Sequence, residues 1–265
     1  MLKLNDLHKI FNYGQVNENY ALKNINLAIP RGDFITIIGS NGAGKSTVLN
    51  LIAGTYFPES GTVEINGQDV TNWPVYKRAH LVGRVFQDPL KGTAAEMTIE
   101  ENLSLAVKRG QKRGLRPGLN KKRRDEFREL LALLELGLED RLEYPVKLLS
   151  GGQRQALTLL MATLGDPNIL LLDEYTAALD PKTAIQIIEI TDRIVNQGEL
   201  TVLMVTHDLQ QALDMGNRTI MMDRGQIVLD IKGEERENTT VSNLLKKFTE
   251  KSGHELTDDR VLLQR

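Results

Sequence analysis

The chain has 265 residues, of which 41% are hydrophobic and 26% are charged, as is ordinary for a globular protein with a sizeable core. With 33 basic and 35 acidic side chains, the net charge is −2, which gives no support to nucleic acid as the main partner. The absence of cysteine excludes disulfides and thiolate metal sites and fits a cytosolic chain. We expect no signal peptide and no membrane span, so any membrane connection must run through another protein or a surface patch.

The N-terminal third predicts short strands around one glycine-rich loop. Alternating apolar residues are typical of strands with one buried face, and a continuous apolar run is typical of a fully buried strand. The predicted elements are strands at Leu2–Leu7, Leu22–Ile29 and Phe34–Ile38, a helix at Ser46–Ala53, and a strand at Val63–Ile65 before an Asn66–Gly67 hairpin turn.

The pattern changes after about Pro89, because the apolar spacing from Ile99 to Leu164 is helical. Within this region, Lys108–Arg124 is basic and rich in glycine, which predicts an exposed loop. Such a loop is usually only solvated, although its charge would also suit anionic lipid or nucleic acid.

The C-terminal part returns to strands, and its tail is polar from Glu234 onward. The predicted strands are Ile169–Leu172, Thr201–Val205, and a hairpin of Thr219–Met222 and Gln226–Leu229, and an amphipathic segment follows near Val241–Phe248. The order of elements predicts an α/β fold with a helical insertion, at roughly residues 90–160, between two α/β halves.

The loop between the third strand and the first helix matches the G-x-x-x-x-G-K-[ST] phosphate-binding pattern. Glycines let backbone N–H groups point at phosphate oxygens, the helix dipole adds positive potential, and the lysine adds a charge. The alternative is a glycine-rich turn with an exposed lysine, and the loop alone does not choose among kinases, GTPases and ATPases. The predicted phosphate-binding residues are Gly39, Ser40, Asn41, Gly42, Ala43, Gly44, Lys45, Ser46 and Thr47, with Ser46 also a Mg²⁺ ligand.

Polar side chains follow two later strands, at the edge where sites in parallel sheets lie. Asp173 and Glu174 end one strand, and we expect Asp173 to bind Mg²⁺ and Glu174 to orient or deprotonate an attacking water. His207 follows the next strand and is placed to donate a hydrogen bond to the terminal phosphate. The alternatives are an acidic strand end in solvent and a structural histidine.

The segment Leu149–Gln153 reads Leu-Ser-Gly-Gly-Gln and precedes a predicted helix. Ser150 and Gln153 have the spacing of a capping box, which is a sufficient structural explanation for both residues. A helix start with Gly151 and Gly152 is also an anion site, however, and one nucleotide does not need a second anion site.

This segment is identical to the signature of the ATP-binding-cassette (ABC) proteins, and the chain resembles that family over about Leu2–Leu229. Other motifs fall in the family's order: Gln87 resembles the Q-loop glutamine, which contacts the metal-bound nucleotide, Asp180 the D-loop aspartate, and His207 the H-loop histidine. Phe11 lies where the family often has an aromatic residue that stacks on adenine, with Tyr13 as the alternative.

The resemblance implies a P-loop (RecA-like) ATPase core with an antiparallel β subdomain and an inserted helical subdomain. It implies one ATPase domain over residues 1–233, with its core and β parts at 1–89 and 161–233 and its helical part at 90–160. Residues 234–265 are then a polar C-terminal extension. The implied cofactors are ATP and Mg²⁺.

The resemblance also implies partners. Two copies, or this chain and a homologous ATPase subunit, would pair head to tail around two ATP molecules, with Ser150, Gly151, Gly152 and Gln153 contacting the other copy's nucleotide. An integral membrane permease and a solute-binding protein complete the expected complex, with this chain on the cytoplasmic face of the membrane.

Two segments depart from the family pattern. Gln155–Leu160 lacks arginines that are usual in many importer subunits, and Tyr175–Ala177 replaces the more frequent Pro-Thr-Ser. The whole pattern resembles a bacterial importer subfamily for amino acids, aromatic ones among them.

The interpretation as a transporter ATPase has two alternatives. A soluble cassette ATPase of DNA repair usually carries a coiled-coil or zinc insertion before the signature, and ribosome-acting members usually carry two cassettes, whereas this chain shows neither feature. A small-molecule kinase would leave the signature and Gln87 unexplained. The sequence therefore favours a transporter ATPase.

Overall fold

The computed structural model describes residues 1–111, 118–196, 200–253 and 256. The strands are β1 (Leu2–Phe11), β2 (Asn19–Ile29), β3 (Phe34–Gly39), β4 (Ser60–Ile65), β5 (Gln68–Asp69), β6 (Val82–Val85), β7 (Ile169–Asp173), β8 (Thr201–Val205), β9 (Arg218–Asp223) and β10 (Gln226–Lys232). The α-helices are α1 (Lys45–Ala53), α2 (Val75–Arg78), α3 (Ile99–Val107), α4 (Lys121–Ala132), α5 (Gly151–Thr163), α6 (Pro181–Asn196), α7 (Leu209–Asp214), α8 (Glu234–Glu237) and α9 (Val241–Ser252).

The chain divides into two units. The first unit comprises Met1–Arg78 and Glu199–Arg265, and the second comprises Ala79–Gly198. The first unit contains an antiparallel sheet in the order β2-β1-β4-β5 and a second group of strands in the order β10-β9-β3-β8. In that second group β3 runs parallel to both β8 and β9. The predictions of an α/β fold and of an antiparallel β part are therefore confirmed.

Strand β3 occupies the centre of its group, because it pairs with β8 on one side and β9 on the other. All six of its residues, Phe34–Gly39, are buried. A strand covered on both faces needs no polar alternation, which explains the continuous apolar run seen in the sequence. Helix α1 follows after the glycine-rich loop and contacts β3 and β8.

The C-terminal end of α1 is closed by the side chain of Arg78, which is fully buried. Its guanidinium donates to the carbonyl oxygens of Leu51 at 2.6 Å and Ile52 at 2.9 Å in the last turn of α1. It also donates to the carbonyls of Trp73 and Thr71. Burial lowers the pKa of Arg78 to about 10, so the group stays protonated at neutral pH. The cation therefore satisfies carbonyl groups that the end of the helix leaves without a partner.

The tail of the chain packs within the first unit. Leu244 and Phe248 of α9 are buried in a cluster with residues of β3, α7, β9 and β10, which confirms the predicted amphipathic segment. Arg236 of α8 donates hydrogen bonds to the carbonyls of Leu213 and Met215 and so caps the end of α7.

In the second unit, β6 pairs in parallel with β7, and α5 contacts α3, α4, α6 and β6. The stretch Gln155–Ala162 is buried throughout. A helix segment surrounded on all sides has no face for solvated arginines, which explains their absence from Gln155–Leu160. Among the described residues, no helix combines the length and apolarity that crossing a bilayer requires.

The predicted exposed loop at Lys108–Arg124 is partly wrong, because Lys121–Arg124 form the first turn of α4. Arg124 makes two hydrogen bonds to Glu100 of α3, at 2.7 and 2.8 Å, which hold this turn against a neighbouring helix. Asn120 caps α4 and supplies a helix start that the basic composition concealed. Residues 112–117 lie outside the described residues.

Replacing Arg78 with Met should lower the free energy of unfolding by at least about 2 kcal/mol, because several buried carbonyls lose their donor. Urea denaturation measures this loss. Arg193→Met is the matched control, since Arg193 forms an exposed ion pair with Glu135 and its loss should cost less than about 1 kcal/mol. Equal losses in the two variants would contradict the capping role of Arg78.

Candidate functional site

The backbone of the glycine-rich loop adopts φ angles and close contacts that only glycine allows without strain. Gly39, Gly42 and Gly44 have φ angles of 149°, 79° and 100°, a region that other residues rarely adopt. A Cβ atom on Gly39 would lie 2.1 Å from the carbonyl oxygen of Met222, and one on Gly44 would lie 2.6 Å from that of Ala21. Both ends of the loop therefore require a residue without a side chain.

Lys45 begins α1 and is only 5% exposed, so it is not the exposed lysine of an ordinary turn. Its Nζ donates to the carbonyl oxygen of Gly39 at 2.6 Å and to that of Ser40 at 3.0 Å. These contacts hold a positive charge inside the curve of the loop.

Two further features of the loop fit a phosphate group. Gly44, the residue before α1, gives the helix no side-chain cap, so the N–H groups of the first turn have no side-chain acceptor from that position. The hydroxyl oxygen of Ser40 is buried, and no residue described in the structure hydrogen-bonds to it. A buried hydroxyl, a helix start with glycine at its N-cap and a buried ammonium are together suited to an anion with several oxygens.

Strand β7 carries the acidic pair at its end. Its residues Ile169–Leu172 are buried, whereas Asp173 and Glu174 are half-buried. Asp173 accepts a hydrogen bond from Arg84 of β6, with 3.0 Å between Nη2 and Oδ2. Glu174 has a φ angle of 47°, and non-glycine residues in this region are often found at functional sites.

Tyr175 stands where the family more often has proline, and the structure gives it a packing role. The side chain is buried, and its hydroxyl hydrogen-bonds to the hydroxyl of Thr191 at 3.0 Å. Burial raises the pKa of Tyr175, so the phenol stays neutral. The departure from the family pattern therefore anchors the turn after Glu174 to α6.

His207 lies between β8 and α7 and is half-buried. Asp208 caps α7 by accepting from the N–H of Gln211 at 2.9 Å, and its own N–H donates to the hydroxyl of Thr206 at 3.1 Å. The backbone on either side of His207 is thus held by local hydrogen bonds.

The predicted capping box at the start of α5 is present. Ser150 Oγ accepts from the N–H of Gln153, and Gln153 Oε1 accepts from the N–H of Ser150, both at 3.2 Å. A Cβ atom on Gly152 would lie 2.2 Å from Cγ2 of Thr183 in α6. Thr183 also donates through its N–H to Asp180 at 3.1 Å, and its hydrogen bonds lower the pKa of Asp180. The structure therefore brings the signature segment and Asp180 together.

Gln87 is exposed and lies between two anchored neighbours. The carbonyl oxygen of Phe86 accepts from the side chain of Gln155 at 3.3 Å. Asp88 caps a short 3-10 helix, Pro89–Gly92, by accepting from the N–H of Leu90 at 3.0 Å. The side chain of Gln87 thus projects from a fixed stretch of backbone.

Phe11 is half-buried and already has an aromatic neighbour. Its ring meets that of Tyr56 edge to face at 5.2 Å, and the Nζ of Lys9 lies 5.3 Å from its centroid. Tyr13 is 75% exposed. The role of Phe11 in stacking on adenine therefore stays a prediction.

The predicted site residues fall into two groups. The first unit holds the phosphate loop, Phe11 and His207, and the second holds Gln87, the acidic pair, the signature and Asp180. The sequence analysis did not identify Arg84, which hydrogen-bonds to Asp173, or Gln155, which hydrogen-bonds to the backbone before Gln87. The one available signal was a charged residue, Arg84, between the apolar Val82 and Val85.

Comparison with known proteins agrees with these motifs. Residues 22–177 match the family model described as ABC transporter. The chain is 46% identical to a tyrosine transport ATP-binding protein of Clostridioides difficile (strain R20291), over 94% of this chain and 98% of that protein. It is 32% identical to a methionine import ATP-binding protein of Ligilactobacillus salivarius (strain UCC118), over 86% of this chain and 64% of that protein.

A solved structure shows the same fold. An ATP-binding cassette in a dimeric post-hydrolysis state, bound to ADP and Pi, superposes with a TM-score of 0.75 at 34% identity. The match covers 88% of this chain and 98% of that one. The predicted P-loop ATPase fold is therefore confirmed.

Replacing Ser150 with Ala should separate the cap from a contact with nucleotide. Loss of the capping oxygen should cost about 1 kcal/mol of unfolding free energy. If Ser150 also contacts nucleotide, ATP hydrolysis should fall at least about tenfold while the protein stays folded.

Thr98→Ala is the matched control, because Thr98 and Glu101 form the same capping box at the start of α3 in the same unit. We expect Thr98→Ala to lose similar stability and to retain ATP hydrolysis. Equal ATPase rates in the two variants would leave Ser150 as a cap only.

Proposed function

The chain belongs to the ABC transporter family and is an ATPase of that family, and we propose that it drives the import of an amino acid through a separate membrane permease. The main support for ATP binding is the Lys45 ammonium, which is buried inside the glycine-rich loop. ATP presents the oxygens that such a loop binds, and the lysine would reach its β- and γ-phosphates.

We assign the metal to hard oxygen donors. The hydroxyl of Ser46 and the carboxylate of Asp173 are ligands that Mg²⁺ prefers, and the amide oxygen of Gln87 is a third. Mg²⁺ would neutralise developing charge on the phosphates. The protein's part is to hold these donors on fixed backbone, as the cap at Asp88 does beside Gln87.

In hydrolysis, Glu174 would accept the proton of the attacking water, and His207 would donate a hydrogen bond to the γ-phosphate oxygens. The unusual φ angle of Glu174 fixes where its side chain leaves the end of β7. Phosphoryl transfer needs little covalent catalysis from the protein. The main contribution of the protein is therefore to position Glu174 and His207 around the phosphate and the water.

We also propose that two ATPase subunits pair head to tail. Gly151 and Gly152 are the first residues of α5, and backbone N–H groups at this helix start would suit an anion from outside the unit. Ser150, Gly152 and Gln153 would then contact the nucleotide held by the other subunit. A dimeric arrangement of the related cassette supports this proposal.

The contact with the permease would lie on the segment from Asp88 to Met97. Leu90 is 49% exposed in its 3-10 helix, and Glu96 pairs with Lys147 at the surface. The buried Asn102 of α3 bonds to both the N–H and the carbonyl of Ala94. A partner helix on this segment would therefore move together with α3. Binding there would place the chain on the cytoplasmic face of the membrane.

The choice of substrate rests on the relatives. The tyrosine transport protein is similar along almost its entire length, and a methionine import protein is also related. These names support an imported amino acid, with an aromatic one as the first candidate. A solute-binding protein is part of the same proposal, as the partner that would deliver the amino acid to the permease. A soluble ABC ATPase of ribosomes or DNA remains the alternative outcome.

Purification from its own cells in mild detergent tests this proposal. A multi-spanning membrane protein should accompany the chain, and Glu96→Lys should release it while ATP binding is kept, because the change reverses a charge on the proposed contact segment. Glu129→Lys, an exposed change on α4, is the control and should keep the complex.

The readouts are the composition of the complex and the affinity for ATP. A chain that purifies without membrane protein but with ribosomes or DNA would contradict the transporter proposal. It would leave the ATPase assignment intact.

A further inference from the structure

Arg84 is a charged residue within a strand that is otherwise buried. It pairs in register with Leu171 of the parallel strand β7, so the two side chains lie on the same face. Asp173 is two residues further along β7 and shares that face. The arginine therefore reaches diagonally along the strands to Asp173, where Nη2 lies 3.0 Å from Oδ2.

The ion pair is sheltered from water. The side chains of Arg84 and Asp173 are 13% and 14% exposed, so solvent screens their attraction less than it would at the surface. The guanidinium carbon also lies 4.6 Å from the centre of the Phe86 ring. A stacked guanidinium loses rotational freedom, and this favours a fixed position for the carboxylate that it holds.

The strands do not need this ion pair in order to associate. Their backbone register runs from Val82 opposite Ile169 to Val85 opposite Leu172, and apolar side chains surround it. An apolar residue in place of Arg84 would serve a purely structural purpose at lower desolvation cost. The cation is therefore better explained by its effect on Asp173.

We propose that Arg84 is a positioning residue for the magnesium site, which orients Asp173 and, as a second cation on the same carboxylate, weakens its hold on the metal. The inference rests on the proposed role of Asp173 in binding Mg²⁺. Two cations that share one carboxylate repel each other, so each lowers the affinity for the other. Such a device would keep the metal from being retained too tightly after hydrolysis.

The test uses Mn²⁺, a paramagnetic substitute for Mg²⁺, in a titration of the whole chain with a non-hydrolysable ATP analogue bound. Arg84→Met keeps an unbranched apolar stem and removes the charge, and it should lower the half-saturating Mn²⁺ concentration about threefold to tenfold. Arg84→Lys keeps the charge and should stay within about twofold of the wild type. An unchanged or raised value in Arg84→Met would overturn the inference.

Two further variants distinguish the possible failures. Arg193→Met removes a surface arginine of the same unit and should leave Mn²⁺ binding unchanged. Asp173→Asn should raise the half-saturating concentration at least about tenfold, since it removes the ligand charge. No effect of Asp173→Asn would refute the metal site and the inference together. An effect of Asp173→Asn without one of Arg84→Met would refute the inference alone.

Discussion

The glycine-rich loop depends on one constraint, which is that a lysine ammonium must be kept inside a tight turn of backbone. The carbonyls of Gly39 and Ser40 hold Lys45, and the turn exists because Gly39 and Gly44 leave no room for a side chain. The strand before this turn and the helix after it hold its two ends. Buried strand β3 fixes its start, and Arg78 closes the far end of the helix that follows it. The proposed anion site therefore depends on the fold as much as on the motif.

The second unit uses buried polar contacts in a similar way. Gln155 holds the backbone before Gln87, Asn102 holds Ala94, and Arg84 holds Asp173. Each of these segments is proposed to contact nucleotide, metal or permease. The hydrogen bond ties the segment to a helix or a strand of the unit. An unsatisfied buried polar group costs stability, so these contacts define one arrangement in preference to others. These segments of the proposed site are therefore hydrogen-bonded to helices and strands of the unit.

Most of the strands and the phosphate loop could be predicted from the sequence, because periodicity and glycine spacing are local properties. The run Phe34–Ile38 and the hairpin around Arg224–Gly225 are both present. The loop predicted at Lys121–Arg124 is a helix, because a tertiary contact with Glu100 outweighs the basic composition. Arg84 was missed since its partner is distant in sequence, and no local pattern shows which carboxylate a cation will meet.

The most direct test of the account is the affinity for ATP after Lys45→Ala, measured by equilibrium binding so that catalysis plays no part. Loss of the ammonium should weaken ATP binding at least about tenfold, because it removes the positive charge that would lie against the phosphates. Lys122→Ala, which changes an exposed lysine of α4, should bind ATP as the wild type does. Wild-type affinity in the Lys45 variant would show that this loop is not the nucleotide site.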